Sequence, residues 1–70
     1  SLERRSNLVD EVVEAATQRA KVIYPDLKIS NRVLGDAQGW VWKHYRKNRD
    51  VLIEGVALML LAYRDGQLQD

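Results

Sequence analysis

The chain is predicted to be all-α, a compact bundle of three helices, and three observations predict it. Apolar residues recur at spacings of four and three through residues 9–23. A dense apolar run covers Val51 to Tyr63, too long for a typical strand and free of proline. The only proline, Pro25, stands between the first two candidate helices, where it disfavours α geometry in the residue before it. Seventy residues hold one domain at most, residues 1–70, with residues 1–7 and 67–70 expected to fray. A composition 46% hydrophobic and 30% charged excludes simple disorder. The chain has no cysteine, so no disulfide or thiolate metal site is available.

In the first helix Val9, Val13, Ala16, Ala20 and Ile23 form one continuous face. Leu2 extends that face by one heptad, Leu8 and Val12 widen it, and Ala15 and Val22 carry apolar surface further round. Glu11, Glu14, Gln18 and Lys21 occupy the other side. Acidic residues come early and basic ones late, complementing the helix dipole, and the helix is predicted to stop at Tyr24.

The second segment opens at Ser30, a good N-cap. Gly35 and Gly39 then interrupt it. Gly35 followed by Asp36 is a stop-start pair, so a break there, giving a fourth helix, is favoured over one helix from Asn31 to about Lys47. Ala37, Val41 and Tyr45 follow at intervals of four as the inward face, flanked by Trp40 and Trp42.

The third helix is predicted to be capped by Asp50, to run from Val51 to Tyr63, and to end at Gly66. It is apolar nearly all round, interrupted by Glu54 and Gly55. A helix without a polar face must be buried on several sides. A homodimer is therefore expected, with Val56, Met59, Leu60 and Tyr63 at the interface.

Net charge is only +1, but it is unevenly distributed. Residues 1–27 sum to −1, residues 28–49 to +5 and residues 50–70 to −3. A basic block flanked by acidic segments can turn one face toward a polyanion. Residues 30–49 also fit part of a helix-turn-helix pattern: Leu34, Gly35 as the turn glycine, and Val41 inward. Asn31, Asp36 and His44 depart from that pattern. The residues predicted to touch nucleic acid are Lys28, Arg32, Gln38, Trp40, Lys43, His44, Arg46, Lys47 and Arg49. The competing reading is an ordinary helix whose basic residues complement its C-terminal dipole, one Trp completing the core and the other lying under Arg stems.

Other chemistries find little support. One histidine without cysteine makes no metal cluster. Glu54 stands early in its helix, where the dipole favours negative charge, and no nucleophile or second acid is placed nearby in sequence. No phosphate-cradling glycine loop is present. Neither enzyme activity, a cofactor nor a small-molecule substrate is expected. The apolar run of 13 residues falls short of the roughly 20 that span a membrane. No charged-then-apolar leader opens the chain, so a cytoplasmic location without membrane partners is expected. The chain begins Ser1-Leu2 and its only methionine is Met59, so it reads either as a piece of a longer protein or as bearing added first residues.

The leading functional expectation is a small dimeric DNA-binding regulator using a basic, Trp-containing helix. The alternative is a helical protein-interaction or assembly module.

Overall fold

A computed structural model of the chain describes residues 1–64, and these form three α-helices without strands. α1 spans Leu2–Ile23, α2 Asn31–His44 and α3 Arg49–Arg64. α1 packs against both others, most extensively against α3. At 1.5 Å per residue α1 is about 33 Å long, against about 21 Å for α2 and 24 Å for α3. It accounts for the longest dimension of the molecule, 35 Å.

Local chemistry explains where each helix begins. The Ser1 side chain accepts from the Arg4 amide at 3.2 Å, so α1 is helical from Leu2 instead of fraying over residues 1–7. Ser30 caps α2 in the same way, accepting from the Val33 amide at 3.2 Å. α3 starts earlier than expected, because its cap is Asn48 and not Asp50. The Asn48 side chain accepts from the Asp50 amide at 2.8 Å, and its carbonyl accepts from Leu52 at 3.0 Å. Asp50 instead lies in the first turn, near the positive end of the helix dipole. α1 ends at Ile23, with Tyr24 as its C-cap. Tyr24 to Leu27 form a turn with Pro25 in the position proline favours, closed by the Leu27 amide on the Tyr24 carbonyl at 2.9 Å. Leu27 then anchors the loop in the core.

α2 is unbroken across Gly35, so the favoured break is absent and the helix-turn-helix pattern has no turn there. One continuous helix aligns Val33, Ala37 and Val41, and all three are buried. Burying a Val-sized side chain contributes about 1.5–3 kcal/mol, whereas each glycine costs about 1 kcal/mol relative to Ala. The buried seam outweighs both glycines. Tyr45, expected inward, is the C-cap and only half-buried.

The core joins Val9, Val12, Val13, Ala16 and Ala20 of α1 to the α2 seam and to Leu52, Ile53, Val56, Ala57 and Leu60 of α3. α1 and α2 bury only Val and Ala, so bulk comes from α3 and Leu27. No polar or charged residue is buried among the described residues. The face expected on α1 shifts at its ends. Leu2 is exposed and Ile23 is 58% exposed, because the longest helix outruns its two partners, and Val22 is exposed on the side of the helix away from the seam. Val12, expected to widen that face, is fully buried.

α3 is less in need of a cover than its composition suggests. Val56 and Leu60, expected at a dimer interface, are buried within the chain's own core by α1 and α2. Met59 and Tyr63 are half-buried. Val51 and Leu58 remain outward, 52% and 59% exposed. The predicted end of this helix at Gly66 and the fraying of residues 67–70 lie outside the described residues. Among the described residues no helix is long and apolar enough to cross a membrane.

Candidate nucleic-acid interface

The end of α2 and the start of α3 form a corner, and the sequence places Lys43, Arg46, Lys47 and Arg49 within seven positions there. All four are exposed. The Lys47 amide donates to the His44 carbonyl at 2.9 Å, closing the turn that gathers them. Among the described residues no carboxylate partners Lys43, Arg46, Lys47 or Arg49.

α1 adds to this corner from 37 positions away. The Arg5 guanidinium donates to the Trp42 carbonyl, from Nε at 3.1 Å and also from Nη2. That carbonyl belongs to the last turn of α2, where helices leave acceptors unpaired and a cation is favoured. The same guanidinium lies 4.4 Å from the Trp42 ring centroid and 3.8 Å from that of Tyr45. Arg46 closes on Tyr45 from another side, its Nε donating to the phenol oxygen at 3.2 Å. Trp42 remains 39% exposed, free to receive a stacking partner.

These cations hold the Tyr45 phenol below its ordinary pKa, mainly through the Arg46 hydrogen bond and charge, with Arg5 adding to the effect. One of the three tyrosines should therefore develop phenolate absorbance at lower pH than the others, and Arg46→Gln should move it back up. The folded value is the depressed one. The resulting stabilisation is present above the unfolded pKa near 10 and is lost as pH falls through the folded pKa, so it is absent at neutral pH.

The nine predicted contact residues do not converge on one surface. Arg32 and Lys43 lie eleven positions apart, about 16 Å along α2, and Lys28 precedes that helix in the loop. Gln38 is exposed along the helix. Trp40 and His44 are half-buried with their rings in tilted contact, centroids 4.9 Å apart. Trp40 also reaches across to Gly55 of α3. Lys47 and Arg49 are not on α2 at all: one is in the turn, the other opens α3.

Sequence reasoning missed Arg4 and Arg5, because residues 1–7 were expected to fray, and Tyr45, because it was expected to face inward. Ser1, at capping distance before Arg4, was the available signal. A cavity of about 490 Å3 opens beside the corner, lined by Ser1, Arg4, Arg5, Asn7, Leu8, Glu11 and Tyr45. Among the described residues no group of three or more acidic, His or Cys side chains could hold a metal ion. No protein-family model matches the chain, and no curated protein and no solved structure matches it.

Proposed function

We propose that this chain is a small nucleic-acid-binding protein, of the kind that regulates DNA as a homodimer, with the α2–α3 corner as its contact surface. The observation that carries this reading is the cluster of Lys43, Arg46, Lys47 and Arg49, exposed and without carboxylate partners, beside the exposed ring of Trp42. Such cations release counterions from a phosphate backbone, and an aromatic face stacks on unpaired bases. Arg5 supports the surface by holding Trp42 and Tyr45 in place.

Fluorescence anisotropy with labelled duplex and single-stranded DNA, across a salt series, tests this. Four phosphate contacts give a slope of log K against log salt of about −3.6. Lys47→Ala should weaken binding to all sequences alike and make the slope shallower by about one unit. No binding at low salt by a folded protein overturns the proposal, as does a slope indifferent to replacing Lys43 and Lys47 together.

A different observation favours the interaction-module reading, alone or alongside the first. Val51 and Leu58 present apolar surface on the outer side of α3. Sedimentation equilibrium should report twice the mass of one chain, falling to one with Leu58→Glu. A monomer at high concentration refutes self-association.

A further inference from the structure

The cavity beside the basic corner is bounded on one side by successive turns of α1 and on the other by Tyr45. Its volume, about 490 Å3, is within the range of small-ligand sites. Arg4, Asn7 and Glu11 follow at spacings of three and four, so they share one face of the helix. Their side chains offer, in order, a cation, an amide and a carboxylate. Among the described residues none of these three groups is engaged by another side chain. Leu8 supplies an apolar wall and Tyr45 an aromatic one. Arg5 lines the cavity as well, but its guanidinium is committed to the Trp42 carbonyl and the two rings.

We propose that this cavity receives an unpaired guanine nucleotide. The inference rests on the nucleic-acid reading and names the feature that the site would select. A carboxylate only accepts hydrogen bonds. Guanine is the base whose Watson–Crick edge presents two adjacent donors, N1–H and the N2 amine, which match the two oxygens of Glu11. Its O6 lies beside them as an acceptor for the Asn7 amide. Adenine and cytosine would each turn a ring-nitrogen acceptor toward Glu11. Thymine offers a single donor between two carbonyls. Any of these leaves lone pairs facing lone pairs, which disfavours such a base at this edge. The carboxylate also sets the direction of entry. It repels phosphate, so the base lies at the Glu11 end and the phosphate at Arg4, about 10 Å away along the helix. In a duplex this guanine edge is engaged by cytosine, so the selected nucleotide is unpaired. The corner from Lys43 to Arg49 then takes the neighbouring phosphates.

Single-stranded oligothymidines test the proposal, carrying one central guanine, adenine, cytosine or inosine and read by anisotropy. Guanine should bind about tenfold more tightly than adenine or cytosine. Inosine, which lacks the N2 amine, should fall between. Glu11→Gln should abolish the guanine preference and leave the plain oligothymidine affinity unreduced. Glu11 is exposed, and an unchanged circular dichroism spectrum establishes that the variant folds. Equal binding of all four oligonucleotides by the native chain, or a preference that survives Glu11→Gln, overturns the cavity assignment while the corner stands. Failure of every oligonucleotide to bind the folded protein overturns the cavity assignment, and failure of the duplex in the salt series as well removes both.

Discussion

Leu52→Ala should cost about 2–5 kcal/mol, a large share of the whole stability of so small a domain. Leu52 has no exposed surface, and it is the largest of the fully buried side chains. The buried residues of α1 and α2 are all Val and Ala, which have short side chains and little freedom to close around a void. The expected loss is therefore in the upper part of that range. A 70-residue domain has only about 4–10 kcal/mol to lose. Leu58→Ala is the control. It removes the same atoms from a side chain 59% exposed, and monomer stability should change by less than about 1 kcal/mol. Urea melts of both variants check the pair. Equal melts would mean that α3 has been assigned the wrong inner face.

The second large effect has opposite signs at different glycines. Gly35 and Gly39 lie within α2, exposed, and a methyl group added at either meets nothing within 4 Å. Each Gly→Ala change should stabilise the fold by up to about 1 kcal/mol through helix propensity. The double variant should raise the melting temperature by up to about 8–16 °C. Gly55 differs, although it too is within a helix. A Cβ there would come within 2.6 Å of the Trp40 ring. The indole must shift from its present seat against α3. Overpacking of this kind costs about 1–3 kcal/mol, against which the helix gains about 1 kcal/mol. Gly55→Ala should therefore be neutral to destabilising and should red-shift the Trp fluorescence. Thermal melts with parallel emission spectra decide it. A Gly55→Ala variant as stabilised as Gly35→Ala, with unchanged emission, would mean that Trp40 does not pack there.

The glycines show where reading from sequence stops. Gly35-Asp36 is a good stop-start pair by local chemistry, and the unbroken helix prevails only because Val33, Ala37 and Val41 must share one buried face. The same limit applies to the candidate site. The cations from Lys43 to Arg49 are close in sequence, so their proximity in space was legible. Arg5 joins Trp42 and Tyr45 across 37 positions, and no local pattern encodes that meeting. The acidic and amide residues of the cavity, Glu11 and Asn7, read as an ordinary solvated helix face until Tyr45 is brought opposite them.

What the sequence determined by itself is the helical class and the inner face of α1 near its centre. These follow from residue periodicity and from proline and serine chemistry, which act over a few positions. The tertiary structure alone decided the ends and the excess. α1 outruns its shorter partners, so Leu2 and Ile23 lie in solvent despite their place on the apolar face. α3 finds enough small side chains on α1 and α2 to bury Val56 and Leu60 within one chain. Both outcomes depend on relative helix lengths and on how closely Val and Ala let backbones approach, which are properties of the assembled bundle.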